Sequence, residues 1–200
     1  MPPAFTYVGG DPALDLVNTV DWTAAGPAGE RLVDYRALVD WAQGAGAISP
    51  ATGERLRRAA RAHPRRARET LARAIRLRAL LRDAFGGPGP AQAEAVRALN
   101  PLLAHALERL RLGALRGGSR RQQWTWAAMD ERLDSPLWPV LRAAALLLTS
   151  AEAERVRTCA GPDCGWMYVD RSRNGFRRWC QMRTCGTREK SRRRRVTAAG

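Results

Sequence analysis

Lysine is almost missing from this chain. Of its 34 basic side chains 33 are arginine, and Lys190 stands alone. So lopsided a ratio reflects biased composition as much as selection for guanidinium chemistry, so the evidence lies in where the arginines cluster. Histidine is scarce too: His63 lies beside a helix break at Pro64, and His105 has no second histidine at ligand spacing, so both read as ordinary surface residues. The chain has no Walker loop, G-x-G-x-x-G turn, G-x-S-x-G elbow or H-E-x-x-H pair, which argues against an enzyme. No basic residue precedes Arg31, and Asp11 and Asp15 sit in the opening segment, a pattern unlike a secretory signal. The apolar run Ala143–Leu148 is far too short to span a bilayer. A cytoplasmic protein is expected, nucleoid-associated if it binds DNA.

Cysteine is rare but concentrated. All four fall in one stretch, Cys159-x4-Cys164 and Cys180-x4-Cys185, with fifteen residues between the pairs. Two short-spaced pairs at a hairpin-sized interval bring four thiolates to one tetrahedral zinc ion, and a reducing compartment favours metal over disulfides. Four reduced or disulfide-paired cysteines without metal, and an iron–sulfur cluster, are the alternatives. A site closed by four thiolates leaves no position for water, so zinc here would be structural. Its formal charge of −2 would be offset by Arg177, Arg178 and Arg188.

At 200 residues and 45% hydrophobic content, the chain has room for one ordinary domain and a small satellite. Its net charge is +15 with a pI near 11.4, which implies an anionic partner. From Arg155 onward there are 13 basic against 3 acidic residues, a net of +10, and residues 1 to 154 contribute the other +5. Two thirds of the excess therefore lies beside the cysteines.

Upstream, the pattern is helical. Asp34 to Gln43 reads as a helix with Leu38, Trp41 and Ala42 on one face. Ser49-Pro50 opens a second running to about Ala62, and Pro64 opens a third on which Leu77, Leu80, Leu81 and Ala84 form a stripe, with Arg78 and Arg82 turned away. Gly86-Gly87-Pro88-Gly89-Pro90 stops it. Ala91–Leu99 and Pro101–Leu112 read as two helices, Ala24–Gly29 and Gly113–Ser119 as loops, and Gln122–Ala127 as a strand. Helix resumes near Asp134 or Ser135 and is apolar on several sides, as a buried central helix would be. In the cysteine region, Trp166–Val169 has strand character and Arg171–Gly175 turn character, giving a hairpin, and a helix starts near the last ligand. The fold class expected is mainly α: a helical N-terminal domain (1–150) with a few short strands, and a small four-cysteine zinc finger of hairpin and helix (151–200).

The helix after Cys185 would carry Arg188, Lys190, Arg192, Arg193, Arg194 and Arg195 in a row suited to phosphate contacts, with Arg173, Arg177 and Arg178 as further contacts. Trp166 and Trp179, flanking ligands, read as the finger's miniature core, with stacking on bases as the alternative. Asp15 and Asn18 are candidate ligand-binding residues of a small-molecule pocket, or else local caps.

These residues resemble a known family, the CGNR zinc finger, found behind a helical ABATE domain in bacterial proteins described as stress-induced transcription regulators. The resemblance rests on Cys159, Cys164, the segment Asp170-Arg-Ser-Arg-Asn-Gly, Arg177-Arg-Trp-Cys180 and Cys185-Gly-Thr-Arg188, and upstream on GGDPALDLVNT and SPLWPVLRAAALLLTS. Thr187 departs from it, standing where the name-giving motif has Asn. The resemblance implies transcriptional regulation, with the finger on DNA and the N-terminal domain sensing an effector or forming a homodimer. RNA binding by the same finger is the runner-up, and a module docking on the transcription machinery a third reading.

Overall fold

The structure, a computed structural model, describes residues 5–23, 25–115, 120–161 and 163–198, with the side chains of 193 and 195–198 outside that set. Helices are placed largely by their caps. Asp11 accepts from Ala13 N–H (2.8 Å) to open α1 (Pro12–Val17), Asp34 accepts from Ala37 N–H (2.7 Å) to open α2 (Tyr35–Gly44), and Ser49 accepts from Thr52 N–H (3.1 Å) to open α3 (Pro50–Ala62). The prolines in the first turn of α1, α3 and α4 (Pro64–Ala84) cost no hydrogen bond there. Between α1 and α2, β1 (Asp21–Thr23) and β2 (Gly26–Ala28) form a short antiparallel ribbon where a loop is expected.

Two expectations for the middle of the chain fail. The segment after Gly89 is one helix, α5 (Pro90–Leu107), which runs through Pro101. Pro101 forfeits the bond to the Arg97 carbonyl, but burial of Ala95, Leu99 and Ala106 carries the helix across it. Leu110 to Leu112, expected to end that helix, and Gly113 and Ala114, expected as loop, instead form β3 (Leu110–Ala114), paired antiparallel with β4 (Gln122–Trp126). Residues 116–119, part of the expected loop, lie outside the described set.

α6 (Leu137–Leu148) buries Leu137, Trp138, Val140, Leu141, Ala144 and Leu147, so it is indeed central, although Leu146 faces solvent. With α1 and α4 it forms the heart of the main core. α4 also overturns an expectation, since Arg78 and Arg82 do not point to water. Arg78 is 3% exposed, donating to Glu30 (2.7 Å) and Thr19 Oγ1 (3.0 Å), and Arg82 lies over the Trp22 ring at 4.2 Å. The helix is packed on two sides, against the core and against the ribbon and C-terminal segment, so its polar stripe is an inner one. Among the described residues no helix is long and apolar enough to cross a membrane.

Candidate metal centre and nucleic-acid face

Ser150 caps a short 3-10 turn, Ala151–Arg155, which feeds β5 (Val156–Thr158). β5 pairs antiparallel with β6 (Met167–Val169), and the loop joining them holds Cys159 and Cys164. The hairpin therefore precedes the Arg171–Gly175 turn instead of being closed by it. After that turn the chain returns to Cys180, and a π-type turn (Met182–Gly186) delivers Cys185 and the start of α7 (Thr187–Ala198).

All four cysteines are buried and free, and their sulfurs lie within 4.8 Å of one another. Cys180 Sγ stands 3.6 Å from Cys164 Sγ and 3.7 Å from Cys185 Sγ. A disulfide would need about 2.05 Å. A zinc tetrahedron with Zn–S of about 2.3 Å has edges of about 3.8 Å, so the donor set fits that ion. Cys159 Sγ already accepts from the N–H groups of Cys180 (3.2 Å) and Gly161 (3.4 Å), contacts that favour a thiolate and orient it. Hydrogen bonds from Cys164 and Cys180 favour the thiolate at Cys159 and hold the two donors in their protonated form. Zinc ligation needs all four as thiolates. Zinc binding is thus expected to release protons and to weaken as pH falls.

The finger is built into the helical part at its other edge. Gly9 O accepts from Val169 N–H at 2.8 Å, and the Asn18 side chain acts as a strand substitute, its Oδ1 accepting from Met167 N–H and its Nδ2 donating to Met167 O, both at 2.8 Å. Trp22 N–H donates to Cys164 O (3.0 Å), Trp166 Nε1 to Val20 O (3.0 Å), and Arg82 to Gly165 O (2.8 Å). Gly165 has φ +57°, and a Cβ there would lie 2.3 Å from Trp22 O, so only glycine permits this approach. Met167 and Val169 belong to the main core, whereas Tyr168 packs with the cysteines, Val8, Trp166 and Trp179 in a second one.

The two candidate ligand residues thus have partners within the chain. Asn18 is 3% exposed with both amide ends engaged, and Asp15, 8% exposed, accepts from Gly9 N–H at 2.8 Å. Burial raises the Asp15 carboxyl from an ordinary 3.8 to about 6, against the pull of its backbone donors. Because the folded value is the higher one, the native state binds the extra proton between about pH 4 and 6. Stability from this group therefore declines as pH rises through that window, by up to about 3 kcal/mol. Denaturation of the wild type and Asp15→Asn across it should show this slope in the former alone.

The basic residues divide. Arg177 is taken up by the finger: it donates to Trp179 O (3.1 Å), Val8 O (3.2 Å) and Cys180 O, and lies 4.0 Å over the Tyr168 ring. Arg178 is exposed over Trp179 at 5.4 Å. Arg188 lines a hollow of about 180 Å³ beside Cys164, Cys180 and Cys185, together with Asp163 and the ion-paired Arg31 and Asp21 (3.0 Å). Among the described residues Arg173, Arg188, Lys190 and Arg194 are exposed with no hydrogen bond or ion pair, while Arg192 pairs with Glu189 at 2.9 Å. The side chains of Arg193 and Arg195 lie outside the described set. Thr187 Oγ1 donates to Met182 O (3.1 Å), so the residue that departs from the CGNR motif ties down the turn behind Cys185.

The comparisons agree with this geometry. A family model named ABATE, described as "Putative stress-induced transcription regulator", matches residues 10–151, and a CGNR zinc-finger model matches residues 155–196. No curated protein matches the chain. With nearly three quarters of its length under the first model, and four buried cysteines able to hold zinc under the second, the chain belongs to the ABATE family and ends in a CGNR zinc finger.

Proposed function

We propose that this chain is a DNA-binding transcriptional regulator, a binding protein and not an enzyme, in which a structural zinc ion fixes α7 for contact with duplex DNA. The observation that carries the reading is the set of exposed, unpartnered cations Arg188, Lys190 and Arg194 on a helix that begins within two residues of a metal ligand. Arg173 and Arg178 add charge from the preceding loop. Affinity from such contacts is electrostatic and salt-dependent. Replacing Arg188, Lys190 and Arg194 by Gln should therefore weaken duplex binding roughly 100-fold near 0.1 M salt and lower the slope of log K against log salt by about 3. A gel-shift titration checks both, and unchanged retardation overturns the reading. Competition with folded RNA distinguishes the runner-up, in which RNA displaces the protein better than duplex does.

The division of labour we propose gives residues 1–150 to sensing and 151–200 to DNA. A groove of about 550 Å³ between α4, α5 and α6 supports the first part: Leu77, Leu80, Leu102 and Leu141 line it, together with Arg73, Arg76 and the paired His105 and Asp134. That mixture suits an amphipathic anion such as a fatty or aromatic carboxylate. α4 forms one wall and, through Arg82, also holds Gly165 in the finger. Since Trp138 lines the groove, quenching of its fluorescence by such carboxylates, lost in Leu141→Arg, is the expected result.

A further inference from the structure

Phe176 is the most exposed large apolar side chain among the described residues, 80% open to solvent. Single exposed apolar residues are common and need no explanation. Phe176 differs because the loop that presents it is fastened on every side. Asp170, 1% exposed, accepts from Ser172 N–H (2.9 Å) and Ser172 Oγ (2.6 Å) with one oxygen and from Arg177 N–H (3.1 Å) with the other. Gly175, at φ +67°, turns back to donate to Ser172 O, and Arg155 holds that same carbonyl at 2.6 Å. Arg177, the next residue, is anchored on three carbonyls. The result is a stiff tip that displays one aromatic ring with no apolar neighbour of its own.

The finger's own core has no need of that ring, since Tyr168, Trp166 and Trp179 already fill the space around the cysteines. Arg173 and Arg178 are exposed close by in sequence, while Arg171 is paired with Glu152 (2.6 Å) and Arg177 is turned to the carbonyls. A rigid apolar tip among cations has the character of side chains that part stacked bases while their neighbours hold phosphates. Because the loop is ordered beforehand, insertion carries little entropic cost.

We propose that Phe176 is a wedge that enters between adjacent base pairs of the duplex bound by α7, with Arg173 and Arg178 on the flanking phosphates. The inference rests on the DNA-binding reading above and adds a second contact, of a different kind, made by a different element. Fluorescence anisotropy on a labelled duplex, with energy transfer between its ends, tests it. Phe176→Ala should bind about 10-fold more weakly, with the salt slope unchanged, because no charge is removed. The wild type should bend the duplex by at least about 20° and Phe176→Ala should not, whereas Phe176→Leu, still an apolar wedge, keeps most of both effects. Equal affinity and equal bending for wild type and Phe176→Ala overturn the wedge while leaving the α7 contact standing. Failure of the wild type to bind duplex at low salt overturns both. Loss of affinity in Phe176→Ala confined to folded RNA or to a protein partner also overturns the wedge. Zinc content and circular dichroism, unaltered in both variants, confirm that the fold is intact.

Discussion

Cys180→Ser, or stripping the metal with a strong chelator, should lower the melting temperature of the entire chain by about 10 °C or more, not just loosen its last fifty residues. Cys180 sits at sulfur-to-sulfur contact with both Cys164 and Cys185, so its loss opens the site from two sides. An independent finger would melt alone. Here β6 has Met167 and Val169 inside the main core, each 2% exposed, and the cysteine loop is hydrogen-bonded to Trp22. Releasing the ion frees the loop that positions β6, and the core loses part of its packing. Far-ultraviolet circular dichroism, dominated by α2 to α6, should therefore report the change. A helical transition that stays at the wild-type temperature in the metal-free protein would contradict this.

Asn18→Ala should destabilise the protein by about 3 kcal/mol, a large effect for removing one polar side chain. The cost comes from what is left behind. The N–H and C=O of Met167 would both be stranded in a site that water does not reach, and each orphaned group costs about 1 to 3 kcal/mol. Asn18→Asp should not rescue it, because a carboxylate can accept from the Met167 N–H but has nothing to donate to the Met167 carbonyl and would face it with like charge. Urea denaturation measures both variants. An Asp variant as stable as the wild type would show that the amide nitrogen contributes nothing.

The same residue shows how far the sequence could be read. Helix entries were legible because a cap and a proline act within one turn: Asp34, Ser49 and Pro64 each mark a helix start with local chemistry alone. The metal centre was legible for a similar reason, as thiolate spacing is a local property of the chain. What Asn18 does was hidden, since its partner lies 149 residues away. Arg78, Arg82 and Arg177 looked like surface cations because charge predicts exposure until a second packing partner exists. Leu110 to Leu112 reads as helix because Leu and Arg favour helix, and only pairing with the strand Gln122–Trp126 overrides that preference. Nothing local marks Phe176, because an exposed ring and a core ring are the same letter.

The clasp between Gly9, Asn18 and β6 has a consequence for how the protein is made. Ribosomes deliver residues in order, and the Asn18 partner emerges 149 residues after Asn18 itself. A nascent chain can assemble α2 to α6 as they appear, but α1 must wait with its polar groups unmatched until the second cysteine pair has left the exit tunnel and metal has been captured. Capture of zinc once Cys185 has emerged is therefore expected to set when α1 completes its hydrogen bonds.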